Sequence, residues 1–217
     1  VERRAVEDPA GAAGAQEVEL IEEPMAAALG AGLPVFEASG SMVVDIGGGT
    51  CDVAVMSLGG IAARKSVKIA GNALNETIIN HMKRAHNLLI GDVTAEEIKI
   101  KIGSVSEYDG EGAMEVRGRN LTDGLPNSIE ITSEEIRNVL LEPVSEIVEA
   151  IRETLEVTLP ELASDIIDRG IYVTGGTALL RGLPDLIAKE TKIAVHLPEN
   201  PMDVVAIGTS VKLRRAR

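Results

Sequence analysis

The 217-residue chain carries a formal charge of −13 with one Cys, one Phe, two Tyr and no Trp. That charge argues against a nucleic-acid partner, because neutralising phosphates needs clustered Lys and Arg; the only basic cluster, Lys212 to Arg217, suits the C-terminus of a helix. A single Cys excludes an internal disulfide, and no run of about 18 apolar residues suggests a membrane span, which leaves a globular chain whose core must be built from aliphatic side chains.

The predicted elements alternate between strand and helix, an α/β pattern. Val18 to Ile21 reads as a short strand leading into a helix from Pro24 to about Ala31, where proline is tolerated in the first turn. Met42 to Ile46 and Val53 to Leu58 read as strands joined by Gly47, Gly48, Gly49 and Thr50, and Ile61 to Ile69 as a third strand. From Asn72 to Asn87 a helix places Leu74, Ile78, Ile79, Met82 and Ala85 on one stripe. Thr94-Ala-Glu-Glu97 reads as a capping box opening the next helix, and Glu107 to Gly118 as a polar hairpin turning at Asp109-Gly110. Thr132-Ser-Glu-Glu135 is a second capping box. Behind it a long apolar stripe runs from Ile136 to Leu155, and Pro143 is expected to break or kink it. A buried strand Ile171 to Thr174, a Gly175-Gly176 turn with a short helix, a strand Ile193 to Leu197 and a helix Met202 to Leu213 complete the chain. There is no internal repeat.

The glycine turn carries the most chemistry. Without side chains its backbone N–H groups can approach an anion, and oriented amides of this kind form a nest. Asp45 stands where the strand enters the turn, a position from which it can hold a hydrated Mg²⁺. An ordinary hairpin with a flexible turn accounts for the same residues. Glu96 and Lys99 share one helix face, as a surface ion pair worth about 0.2–0.5 kcal/mol would. Glu23 at the helix start suits the dipole, with Glu22 an exposed neighbour. Cys51 reads as a small apolar strand residue. No metal site is expected from the histidines: His81 and His86 are five apart on different helix faces, and His196 lies on a separate strand.

Taken in order, Glu22-Glu23-Pro24, the glycine hairpin, Ala70-Gly71-Asn72, Glu96 to Lys99 and Val173 to Gly182 resemble the superfamily of actin, chaperone ATPases and sugar kinases. Within it the chain is most similar to the MreB family of bacterial actins. The resemblance implies an actin-like, ribonuclease H-like fold that binds ATP and Mg²⁺. On this reading Glu23 orients the attacking water, Gly47, Gly48, Gly49 and Thr50 form the second phosphate loop, and Asp45 holds Mg²⁺ through water. Gly71 and Asn72 belong to the same site; Glu96 and Lys99 flank the nucleoside; Gly175, Gly176, Thr177 and Ala178 match the adenosine motif. Thr177 stands where a third glycine is usual, and Asn72 and Asn75 stand where acids are usual.

The first phosphate hairpin of the superfamily does not occur in this sequence, and Val1 is no initiator methionine. The chain is therefore expected to be the C-terminal two-thirds of such a protein. Residues 1–32 would be a remnant of the first lobe, with 207–217 a helix returning to it. Residues 33–72 and 138–206 would form the inner half of the second lobe, and 73–137 its outer subdomain. Apolar faces that normally meet the first lobe would be exposed. The resemblance implies filament subunits as self-partners, cell-shape adaptor proteins on the second lobe, and membrane contact only through segments outside this chain. It also implies a cytoplasmic place at the inner face of the cell membrane, where filaments direct wall synthesis and rod shape. A non-polymerising ATPase of the same superfamily and an interaction module without turnover are the alternatives.

Overall fold

A computed structural model of the chain describes residues 2–215; Val1, Ala216 and Arg217, and with them the end of the basic cluster, lie outside the described residues. In chain order the elements are α1 (Glu2–Ala12), α2 (Glu23–Gly30), β1 (Ser41–Ile46), β2 (Cys51–Ser57), β3 (Gly60–Val67), α3 (Gly71–His86), β4 (Leu88–Leu89) and α4 (Asp92–Ile102). They continue with β5 (Ala113–Asn120), β6 (Pro126–Thr132), α5 (Ser133–Glu156), α6 (Pro160–Arg169), β7 (Ile171–Thr174), a 3-10 turn (Gly176–Leu179), α7 (Leu183–Thr191), β8 (Val195–His196) and α8 (Val204–Arg215).

Five strands form one sheet in the order β3-β2-β1-β7-β8. The hairpins β1–β2 and β2–β3 are antiparallel, whereas β1–β7 and β7–β8 are parallel. β1 is buried along its whole length because both faces are covered. Side chains alternate across a strand. Met42, Val44 and Ile46 therefore join the large core that includes α3, α5 and α7, while Val43 packs with Ala54, Met56 and the residues of α2. α2 is in turn closed by α8. The two helices approach so tightly that a Cβ at Gly30 would lie 1.8 Å from the Val204 carbonyl oxygen, and one at Gly208 would lie 1.7 Å from that of Ala26.

A second sheet, β4-β5-β6, is antiparallel and packs against α3 and α4. Its buried residues Leu88, Val116 and Ile131 are continuous with the core under the larger sheet. Among the described residues no helix is long and apolar enough to cross a membrane.

Several expectations are corrected. Val18 to Ile21 is not a strand, because no described strand lies beside it to complete a ladder. α4 begins at Asp92 with Gly91 as N-cap, so Thr94 lies inside the helix and caps nothing. Asp109-Gly110 is a turn that precedes β5; the hairpin instead joins β5 to β6 through Leu121 to Gly124, and β6 was not anticipated. Its first residues, Pro126, Asn127 and Ser128, are exposed and carry no apolar alternation, which is legible only at its end. Pro143 neither breaks nor divides α5, which runs for 24 residues. The proline ring is buried in the apolar stripe with Leu140, Val144 and Ile147, and packing of that stripe outweighs one absent helical hydrogen bond. α1, β4, α6 and α7 go beyond the elements the sequence predicts, and β8 is shorter than expected. The second capping box holds on one side: Thr132 Oγ1 accepts from the Glu135 N–H at 3.2 Å, but the Glu135 side chain turns away.

Candidate functional site

The C-terminal ends of the parallel strands β1 and β7 lie side by side, the place where open α/β sheets bind ligands. Their register sets Asp45 opposite Thr174, whose hydroxyl donates to Asp45 Oδ1 at 3.1 Å. Asp45 is buried, and burial raises its pKa above the usual Asp range. The bond from Thr174 opposes the rise, and the negative charges of Glu23 and Asp52 add to it. Cys51, the first residue of β2, is fully buried, and burial with the nearby charges of Asp52 and Asp45 pushes its thiol up to about 12. It is inert at neutral pH.

After β1 the chain turns through the glycines, closed by Gly47 N–H donating to the Thr50 carbonyl at 3.0 Å. α3 is seated on this loop: Gly71 N–H donates to Gly47 O at 3.1 Å and Asn72 N–H to Gly48 O at 2.8 Å. Thr177, in the 3-10 turn after β7, donates its hydroxyl to the same Gly47 oxygen at 2.8 Å. From α4, Lys99 Nζ donates to Gly71 O at 3.1 Å and lies 3.6 Å from Glu96 Oε1. Burial lowers the Lys99 pKa despite that carboxylate. A hydrogen bond from Asn75, 2.9 Å to Oε2, is the main reason that Glu96 lies below the usual carboxylate range.

Beside Asp45 and Asn75, which are not in its lining, lies one cavity of about 430 Å³, within the size range of small-molecule sites. Gly47, Gly48, Gly71, Asn72, Glu96, Lys99, Gly176 and Thr177 all contribute to it. Gly71 lets the neighbours close in: a Cβ there would come 3.1 Å from Thr177 Oγ1 and 3.3 Å from Lys99 Nζ, and those side chains would have to give by a few tenths of an ångström. Gly49 and Thr50 are exposed and outside the lining. Gly175 and Ala178 are underneath. Gly175 has φ +85° and packs on the Ile46 carbonyl, where a Cβ would sit 2.3 Å away; Ala178 is a core residue. Glu23 is exposed in the first turn of α2 and lines a separate cleft with Asp52, Arg64 and Lys65; its charge still contributes to raising the Asp45 pKa. Glu22 pairs with Arg64 at 2.9 Å on the surface.

The departures from the family pattern have local reasons. Asn75 is buried and donates to Glu96, which a carboxylate at position 75 could not do without a proton. Thr177 uses its hydroxyl to hold the glycine loop. The sequence reading missed Ile100, Gly103, Leu179, Leu180, Arg181 and Met202 in the lining. Arg181 ties the two sides together, donating to Ile100 O at 3.0 Å and Gly103 O at 3.2 Å and lying 5.1 Å over the Tyr108 ring. Its place after the Gly175-Gly176 turn was the available signal. The expectation that the histidines stay apart is also corrected: His81 and His86 both meet Glu135. Position on a helix wheel gave no information about a residue from a second helix, α5, reaching between them.

Comparison with known proteins places this site in a family. The model of the MreB/Mbl protein family matches residues 1–217. The chain is 49% identical over 213 residues to the cell shape-determining protein Mbl of Bacillus subtilis, covering 98% of this chain and 64% of that protein. It is 54% identical over 208 residues to the cell shape-determining protein MreB of Escherichia coli, covering 96% and 60%. MreB5 of Spiroplasma citri, solved with ADP, superposes with a TM-score of 0.95 at 39% identity over 99% of this chain and 65% of that one. The same protein with AMPPNP superposes equally well. The double helical filament of MamK shares the fold at a TM-score of 0.79 and 20% identity, over 99% of this chain and 65% of that one. The chain thus spans somewhat under two-thirds of the length of these relatives. With an actin-like α/β fold throughout its described residues and a family match along its whole length, the chain belongs to the MreB/Mbl family of cell shape-determining proteins.

Proposed function

We infer that the cavity binds an adenosine nucleotide and that the chain is the greater part of a filament-forming, ATP-hydrolysing cytoskeletal protein. The observation that carries the reading is the convergence of Lys99 Nζ, Thr177 Oγ1 and the Gly47–Gly48 and Gly71–Asn72 backbones on one cavity at the ends of β1 and β7. The ADP and AMPPNP complexes of MreB5 support it. Glu96 and Lys99 would flank the nucleoside, while the loop, whose Gly47 N–H is already bonded to Thr50, would present the N–H groups of Gly48, Gly49 and Thr50 to phosphate. Mg²⁺ fits the carboxylates: Asp45, with Asp52 and Glu23 close enough to raise its pKa, makes a negative pocket that a divalent cation would relieve. When bound, the ion would neutralise phosphate charge. Glu23, solvent-facing beside that pocket, would orient water for attack on the terminal phosphate.

In the whole protein, residues 33–72 and 138–206 would form the inner and 73–137 the outer part of the second lobe. Residues 1–32 and 207–217 would belong to the first. Head-to-tail contacts between outer and inner parts would build filaments that do not close on themselves. Such filaments would lie at the inner face of the cell membrane and, with adaptor proteins, direct wall synthesis and rod shape.

Calorimetry of the 217-residue chain with ADP and AMPPNP in Mg²⁺ tests the reading. One site in the high-micromolar to millimolar range is expected, lost in Lys99→Ala. Binding unchanged by Lys99→Ala would show that the cavity is not the nucleotide site. Sub-micromolar binding would overturn the view that a second phosphate grip comes from elsewhere in the whole protein.

A further inference from the structure

Two histidines outside the nucleotide site converge on one carboxylate. His86 is the last residue of α3, where Asn87 ends the helix in the left-handed conformation, and His81 lies one and a half turns earlier. Glu135 occupies the first turn of α5, its backbone N–H already capped by Thr132 Oγ1, so its side chain is free to point between the two rings. Glu135 Oε1 lies 2.6 Å from His81 Nε2 and 2.5 Å from His86 Nε2. The rings stand edge to face with centroids 5.8 Å apart. The three ligand-type atoms lie within 4.8 Å of one another.

We propose that His81, His86 and Glu135 form a binding site for a divalent transition metal of the Zn²⁺ class. Zn²⁺ bonds of about 2.0–2.2 Å place neighbouring tetrahedral ligands about 3.3–3.5 Å apart. Each N···O distance opens to that spacing if the carboxylate withdraws by about 1 Å from its hydrogen-bonded position, and the two nitrogens, within 4.8 Å of each other, close to it by turning the imidazole side chains. Each ring then carries its proton on Nδ1 and turns the Nε2 lone pair to the metal. Two imidazoles and one carboxylate suit Zn²⁺, and disfavour Mg²⁺ and Ca²⁺, which take oxygen ligands. A quarter of each side chain is exposed, which leaves room for water in the fourth position and a path for the ion. The metal would clip the end of α3 to the start of α5. This site is at the other end of α3 from Gly71 and Asn72, about 20 Å away at 1.5 Å per residue, and is distinct from the nucleotide cavity.

The test is titration of the untagged, EDTA-stripped chain with Zn²⁺ in excess Mg²⁺, followed by Co²⁺ absorption spectroscopy. One Zn²⁺ per chain at micromolar affinity or tighter is expected, with a rise in thermal midpoint and intense visible Co²⁺ bands of a four-coordinate site. Glu135→Gln keeps the backbone cap and is expected to weaken binding at least tenfold, as is His86→Ala; Asp45→Asn is expected to leave it unchanged. No saturable binding would overturn the proposal and leave the three residues a hydrogen-bonded cluster. Binding that survives Glu135→Gln but is lost in Asp45→Asn would overturn it equally, by placing the ion at the sheet end.

Discussion

Thr177 donates its hydroxyl to the carbonyl of Gly47 at 2.8 Å, and this bond joins the turn after β7 to the glycine loop after β1 across the mouth of the cavity. The same carbonyl also accepts from Gly71 N–H at 3.1 Å, so one oxygen registers β1, α3 and the 3-10 turn together. A glycine at position 177 would leave the loop held from one side only.

Thr177→Val keeps the shape and removes the hydroxyl. The lost hydrogen bond is expected to cost about 0.5–1.5 kcal/mol. That corresponds to a fall in thermal midpoint of about 2–4 °C per kcal/mol for a chain of this size, and to nucleotide affinity about threefold to tenfold weaker. Thr177→Ser is expected to restore both. Differential scanning calorimetry and ADP titration check it; a valine variant that matches the parent in both would show that the bond does not hold the loop.

Asp45 predicts a pH dependence of unusual sign for a carboxylate. Its folded pKa is raised, first by burial, so between the unfolded value of about 3.9 and the folded value the native state holds a proton that the unfolded state has lost. Stability therefore falls as pH rises through that window. Asp45→Asn retains an oxygen for the Thr174 hydroxyl and removes the charge. In EDTA without nucleotide the variant is expected to melt several degrees higher than the parent at neutral pH and to lose its advantage near pH 3. In Mg²⁺ it is expected to bind nucleotide less tightly than the parent. A parent stabilised by rising pH relative to Asp45→Asn would contradict the burial argument.

Local signals were enough for much of this fold and site. The short, mostly apolar run from Met42 to Ile46, the glycines after it and the stripe from Leu74 to Met82 are short-range patterns, and β1, the loop and α3 follow them closely. The errors arise where distant partners decide. Pro143 looked like a helix breaker because its neighbours in sequence cannot reveal that its ring is buried in a continuous stripe. Val18 to Ile21 has strand composition, and no described strand lies beside it. In the cavity, Gly71 and Lys99 were visible as motif residues, but Arg181 and Met202 enter it only because β7 and the segment before α8 bring them there. Asn75 looked like a lost charge until Glu96 was seen accepting its amide.

The crossing of α2 and α8 gives a prediction whose sign separates packing from propensity. In an ordinary helix interior Gly→Ala stabilises by about 1 kcal/mol. At Gly208 the new methyl would lie 1.7 Å from the Ala26 carbonyl oxygen, so the helices must separate. Gly208→Ala is expected to destabilise by about 1–3 kcal/mol, as overpacking does. Gly11→Ala in α1, where a Cβ meets nothing within 4 Å, serves as the control and is expected to be neutral or slightly stabilising. Urea unfolding of both variants is the measurement, and equal midpoints would refute the close crossing.

Glu23 carries the last prediction, which concerns the whole protein. Its carboxylate is exposed in the first turn of α2, where Pro24 needs no helical hydrogen bond, and it lines a cleft with Asp52, Arg64 and Lys65 rather than the candidate nucleotide cavity. A group that only complements the helix dipole would contribute about 0.3–1 kcal/mol of stability and nothing to turnover. One that orients the attacking water would leave stability nearly unchanged and govern the chemical step. Glu23→Gln preserves size and hydrogen bonding while removing the charge and the basicity. Phosphate release by the whole protein is expected to fall by a factor on the order of 10²–10⁴. ATP-dependent assembly, read by pelleting and electron microscopy, is expected to persist because nucleotide binding is untouched. Release at the parent rate, with a lowered thermal midpoint, would assign Glu23 to the helix end and remove it from catalysis.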